Sequence, residues 1–160
     1  MEELNEEQIR DITAEVLDHM MNPRNYGKID DASGVGMGID TSNGEFALIY
    51  LDIDEDENIK DIKFSCNACQ DTVIAGSMFT EMVKGESLDY GKKSAILMSE
   101  KIKSAPPKQQ ACSGMVIKAF DAAALHVEDK KAGSKEEMRK LELEISCEGV
   151  EKKGETDAIN

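Results

Sequence analysis

The stretch SCNACQDTVIAGSMF, residues 65–79, sets two of the chain's four cysteines, Cys66 and Cys69, just ahead of a run with helical spacing. Upstream, IKDIKFSC (59–66) alternates Ile59, Ile62 and Phe64 imperfectly, which predicts a strand ending at Cys66. Downstream, Val73, Ile74, Met78, Met82 and Val83 recur at helical intervals up to Gly85, a C-cap residue. A strand, a turn and a helix therefore meet at a pair of thiols. Two thiols at this spacing can be redox partners, half of a zinc site, or ligands for an iron–sulfur cluster.

Working outward, FALIYLDI (46–53) is apolar and β-branched, and the acidic DEDEN that follows suits a hairpin turn into residues 59–66. Residues 6–21 place Ile9, Ile12, Val16 and Met20 on one face of an amphipathic helix. That helix stops at NPRNYG, where Pro23 has no N–H to donate and Gly27 permits a turn. DDASGVGMGIDTSNGE (30–45) is rich in Gly, Ser and Asp and reads as a loop or a flexible edge strand. A short helix is expected over residues 92–103, broken by APPK, and Cys112 then opens another helix. Beyond a hinge at Gly133, MRKLELEISC (138–147) alternates Leu141, Leu143 and Ile145 in a late strand ending at Cys147. These elements make an α+β domain: a small antiparallel sheet of about three strands with helices packed on it. Residues 1–130 form the domain, and 131–160 are a C-terminal extension with an extra strand and a charged tail expected to fray.

The 160 residues carry a formal charge of −14, which argues against nucleic acid and against an anionic membrane surface as partners. The start, MEELNEEQIRD, is acidic and lacks the apolar core of a secretory signal. No apolar run approaches the roughly 20 residues of a membrane span. A cytoplasmic protein is expected, in a compartment that keeps thiols reduced, where grouped cysteines are more often metal-binding or catalytic than disulfide-bonded.

Cys69 and Cys112 are both read as helix-start residues, where free N–H groups and the helix dipole favour a thiolate. Cys66, Cys69 and Cys112 together point to metal ligation rather than to three small buried hydrophobes. Cys147 is the weaker member, at the end of a distal strand. A redox dithiol fits less well, because a third thiol is left over and no βαβ order surrounds the pair. His19 and His126 are expected to be surface or interhelix residues. Met78, Met82 and Met115 fall at core spacing.

The order of elements resembles the U-type iron–sulfur cluster assembly scaffold family, the IscU-like proteins and the N-terminal domain of NifU, over about residues 13–130. VLDHMMNPRNYGKIDD (16–31) is similar to that family's opening helix and HxxNPRNxG turn, through His19, Asn22, Pro23, Arg24, Asn25 and Gly27. The stretches IKDIKFSCNACQDTVIAGSMFTEMVKGESLDY (59–90) and APPKQQACSGMVIKAFDAAA (105–124) resemble its cysteine loop and its Pro-Pro loop with long helix. By resemblance, the family's second and third cysteines are Cys69 and Cys112. Its first cysteine meets Asn43, the nearby Asp meets Glu45, and the histidine before the last cysteine meets Ala111. Where a dedicated chaperone reads LPPVK, this chain has APPKQ, so handover to that chaperone is not carried across.

The resemblance implies a non-enzymatic scaffold or carrier for iron–sulfur clusters, fed by a cysteine desulfurase and serving apo iron–sulfur proteins. With Cys66 and Cys147 added, an all-cysteine set suits a [2Fe–2S] or [4Fe–4S] cluster or a zinc ion, with Glu45 as a stand-in oxygen ligand. The competing expectation is a zinc-binding or degenerate interaction module that binds the desulfurase without building clusters. A zinc-dependent sulfurtransferase of the same fold is a further reading, weakened because such relatives keep the first cysteine.

Overall fold

The computed structural model describes residues 5–143. The elements are α1 Glu6–Met21, β1 Gly34–Asp40, β2 Glu45–Ile53, β3 Ile59–Asn67, α2 Gln70–Val83, α3 Leu88–Ile102, α4 Pro107–Lys131 and β4 Arg139–Glu142. The strands form one sheet in the order β3-β2-β1-β4. The three antiparallel strands are β1, β2 and β3, and the extension's strand β4 joins parallel to β1. Ile145 and Cys147, the end of the expected late strand, lie outside the described residues.

Residues 34–40 depart most from their reading. GVGMGID is an internal strand between β2 and β4, not a loop or an edge. The reason is the helix that covers it. Gly34, Gly36 and Gly38 share one face, and a Cβ at Gly36 would stand 2.1 Å from the Ala123 nitrogen and 2.2 Å from the Ala119 oxygen. At Gly38 it would stand 2.2 Å from the Met115 oxygen. Helix α4 thus rests on bare strand backbone, with Ala119, Ala122 and Ala123 keeping its own side thin. Alongside β1, Ala47, Ile49 and Leu51 of β2 and Ile62 and Phe64 of β3 complete the buried face of the sheet.

Two helix starts also shift. Helix α4 begins at Pro107, because a proline at the first helical position gives up an N–H that has no partner there anyway. Cys112 therefore sits in the second turn, fully buried, and not at the helix N-terminus as expected. Helix α3 starts at Leu88 rather than residue 92, capped by Ser87, whose hydroxyl accepts the Tyr90 N–H at 3.0 Å.

Helix α2 buries its small and hydroxyl-bearing residues, Thr72, Gly76, Ser77 and Thr80, together with Phe79 and Val83. Met78 and Met82, expected in the core, are exposed, whereas Met115 is buried. Gly76 leaves room for the Phe64 ring, which a Cβ would meet at 2.5 Å. Ser77 and Thr80 instead dock the turn that follows α1. The Ser77 Oγ lies 2.7 Å from His19 Nδ1 and accepts the Arg24 N–H at 2.8 Å, while Asn25 Nδ2 donates to Thr80 Oγ1 at 3.1 Å. The Gly27 N–H donates to the Phe64 oxygen and the Phe64 N–H to the Asn25 oxygen, both at 2.8 Å, which covers the outer edge of β3. The apolar stripe of α1 is only partly used: Val16 and Met20 are half-buried and Ile9 is exposed.

Gly36→Ala should destabilise the protein by about 1–3 kcal/mol or more, because the clash is with helix backbone that cannot rotate away. Gly114→Ala should instead stabilise by about 0.5–1 kcal/mol, since a Cβ there meets only the Leu143 Cδ2 at an ordinary 3.7 Å inside a helix. Urea unfolding of both variants checks the opposite signs.

Candidate metal centre

Three elements bring donor atoms to one end of the sheet. Cys69 is the N-cap of α2, in extended conformation, so its side chain stands at the mouth of the helix. Helix α4 runs against β1, with Val127 over Gly34 and Met115 over Gly38, so Cys112, one turn before Met115, arrives at the Asp40 end. The Cys69 and Cys112 sulfurs are 2.6 Å apart. A disulfide would hold them at about 2.05 Å, so the two sulfurs are in close contact without being bonded to each other. The Thr72 hydroxyl lies 3.5 Å from the Cys69 sulfur. One donor atom each from Cys69, Asp71 and Cys112 lie within 4.8 Å of one another. Cys112 closes the inner side of this corner, Cys69 is half-buried, and Asp71 is exposed.

Cys66 falls outside that trio. It shares the helix-facing side of β3 with Ile62 and Phe64, pairs with Ala47 of β2, and is half-buried. Its thiol is raised above the ordinary 9.0, first by burial and then by the negative charges of Cys69 and Glu45, against an opposing hydrogen bond from the Ala68 backbone. The sulfur that touches Cys69 is thus that of Cys112, 43 residues away in sequence, which goes against reading CNAC as a redox pair.

Glu45 stands opposite Asp40 where β1 and β2 meet their turn. Its Oε2 is buried with no hydrogen-bond partner among the described residues. A buried carboxylate oxygen left unpaired is costly, and a cation would supply the missing partner. Thiolates with carboxylates nearby form a donor set suited to iron or zinc, so the residues present fit a metal. Asn43, expected by resemblance to stand where a cysteine would, uses its side-chain oxygen to accept the Glu45 N–H at 2.9 Å and so holds the turn. Ala111 is buried beside Cys112 and offers no donor. Cys147 lies outside the described residues.

Neither histidine is at the surface, where one reading put them: both are buried, and His19 alone lies between helices. His19 is buried against Ser77 between α1 and α2. His126 Nδ1 accepts the Val35 N–H at 2.9 Å, which puts its proton on Nε2, 2.8 Å from the Glu136 oxygen. Asp71 and Thr72 were not singled out by sequence reasoning. Their signal is the CQDT spacing, which puts the helix cap and the second and third helical residues on one turn.

The fold and this corner define an α+β domain that gathers two thiols and a carboxylate at one end of its sheet. The chain belongs to the NifU-like N-terminal domain family, which matches residues 11–134. It is 35% identical over 143 residues to the iron–sulfur cluster assembly scaffold protein IscU 1 of Archaeoglobus fulgidus, covering 89% of this chain and 92% of that one. It is 33% identical over 132 residues to the scaffold protein IscU of Aquifex aeolicus, covering 79% and 81%. Among solved structures, the N-terminal part of a nitrogen-fixing NifU-like protein from Brucella abortus superposes with a TM-score of 0.58 at 17% identity. That match covers 76% of this chain and 98% of the other, and it supports the fold.

Because the Cys66 thiol is raised, its thiolate fraction near pH 8 should be below that of an open cysteine. In metal-free protein, iodoacetamide should label Cys66 slowly at pH 8 and faster as pH rises beyond 9. Peptide mass spectrometry reads this, and labelling at the rate of an unhindered thiol at pH 8 would contradict it.

Proposed function

We propose that this protein is an iron–sulfur cluster assembly scaffold or carrier, which accepts iron and sulfide on cysteine thiolates and passes the cluster to apo-proteins. The observation that carries the reading is the contact between Cys69 and Cys112, brought from two helices to a half-open corner, with the unpartnered Glu45 Oε2 at the same end of the sheet. The relatives named as scaffold proteins support the same role. The cluster is cargo, held and released, and the chain acts as a carrier rather than an enzyme.

Sulfur delivery needs a nucleophile that an incoming group can reach, and half-buried Cys69 serves better than buried Cys112. Its thiolate attacks the outer sulfur of a persulfide on a cysteine desulfurase. The donor's S–S bond breaks, the donor leaves as a thiolate, and the sulfur stays on Cys69 as a persulfide. An external reductant supplying two electrons then frees it as sulfide to bridge iron. Cys112 anchors the inner side of the cluster. Cys66 lies on the adjoining strand and Glu45 beside it as reserve ligands. Cys147, outside the described residues, is proposed as the remaining thiolate. The acidic surface suits basic faces on donor and acceptor proteins. No helix among the described residues is long and apolar enough to cross a membrane, and the site is read as working in the cytoplasm.

Anaerobic reconstitution with iron and sulfide tests the reading, with metal and sulfide counting and Mössbauer spectra to tell [2Fe–2S] from [4Fe–4S]. Wild type should turn brown. Cys69→Ala and Cys112→Ala should each lose the cluster, whereas Cys66→Ser should weaken retention without abolishing it and leave the melting of the metal-free protein unchanged. Colourless wild type holding stoichiometric zinc would overturn the scaffold in favour of an interaction module of the same fold.

A further inference from the structure

We propose that Asp71 is a metal ligand, so that Cys69, Asp71 and Cys112 form a two-sulfur, one-oxygen site for a single divalent iron or zinc ion before sulfide arrives. This rests on the reading of Cys69 and Cys112 as the cluster thiolates and assigns the step that precedes the cluster. Donor atoms around a tetrahedral ion lie roughly 3.3–3.8 Å apart, given metal–ligand bonds of about 2.0–2.3 Å. The carboxylate and both sulfurs lie within 4.8 Å of one another, and the sulfurs, now 2.6 Å apart, need to separate by about 1 Å to take an ion between them, which side-chain rotation supplies.

An acidic residue in the first turn of a helix is ordinarily explained by the helix dipole. The dipole alone, however, leaves the carboxylate free to point anywhere around the turn. Here it lies beside two sulfurs, and once those thiols ionise to bind a metal, the ion is what offsets the repulsion among the three groups. The unpartnered Glu45 Oε2 at the same end of the sheet independently marks a corner short of positive charge. Ala111 beside Cys112 offers no donor, and the Asn43 side-chain oxygen is taken up by the Glu45 N–H. Asp71 supplies a third donor from a different element, two residues beyond Cys69 on the same helix.

Three protein ligands leave a fourth position open, the pattern of sites that exchange a ligand rather than of closed structural sites. The carboxylate is also the harder donor, whereas sulfide and thiolate are the softer ligands that iron in clusters keeps. Asp71 is exposed and can swing away into water, so it is the ligand that sulfide displaces as a cluster forms. Thiolates from α2 and α4 remain as the permanent hold.

The test is titration of reduced, metal-free protein with Zn²⁺ against a chromogenic chelator, and with Co²⁺ followed by its visible spectrum, both without sulfide. Wild type should take up one ion. Asp71→Asn should weaken Zn²⁺ binding by about tenfold or more and change the cobalt ligand-field bands, while melting of the metal-free variant matches wild type. Asp71→Cys should restore binding and add thiolate-to-cobalt charge-transfer intensity. Wild-type affinity and an unchanged cobalt spectrum in Asp71→Asn overturn the role of Asp71 alone. No uptake of Zn²⁺ or Co²⁺ by wild type, or uptake unaffected by Cys69→Ala, overturns the thiolate site on which it rests.

Discussion

Helix α4 lies against strand β1 with no side chain between their backbones, and the position of every other element follows from that contact. Three glycines on the strand and a row of alanines on the helix let the two approach more closely than any Cβ would allow. Because the fit is backbone to backbone, the helix cannot slide or lift without opening a void or a clash. The register of α4 fixes the height of Cys112. It also lets α2 and α3 lean against the same helix, with Phe79 and Phe120 meeting edge to face at 5.1 Å.

The second constraint is polar. Helix α2 turns hydroxyls and a glycine inwards, so its hold on the turn after α1 comes from Ser77 and Thr80 rather than from apolar burial. Gly76 then seats the Phe64 ring of β3, and α2 is pinned between the strand and the N-terminal turn. Its N-terminus, with Cys69 at the cap, is thereby aimed at Cys112. The His19-to-Gly27 motif acts at a distance from the thiols by steadying the helix that presents one of them.

At the corner itself, burial is graded. The inner sulfur of Cys112 is sealed, Cys69 is reachable, and Asp71 faces water. Such a gradient suits a site that must hold cargo firmly from one side and exchange it from the other. Glu45 lies near Cys66 and Asp71 beside the Cys69 and Cys112 sulfurs, so carboxylates and thiols share one end of the sheet.

Much of this was legible in the sequence. The alternation in 46–53 and 59–66, the helical spacing from Gln70 to Val83, and the placing of Cys69 at a helix mouth all follow from side chains whose burial leaves a periodic trace. The motifs around His19, Cys69 and Cys112 carried the family. What the sequence could not show is what depends on absent atoms or distant partners. Strand β1 looked like a loop or a flexible edge strand because its buried face is made of glycines, while its apolar residues Val35, Met37 and Ile39 stand on the opposite, half-buried face. The inward face of α2 was hidden because hydroxyls and a glycine, not methionines, fill it. Cys112 meets Cys69 rather than Cys66 only because α4 starts early at a proline and is then set in register by the glycine strand. Donors 43 residues apart become neighbours through helix packing, and that is a tertiary decision.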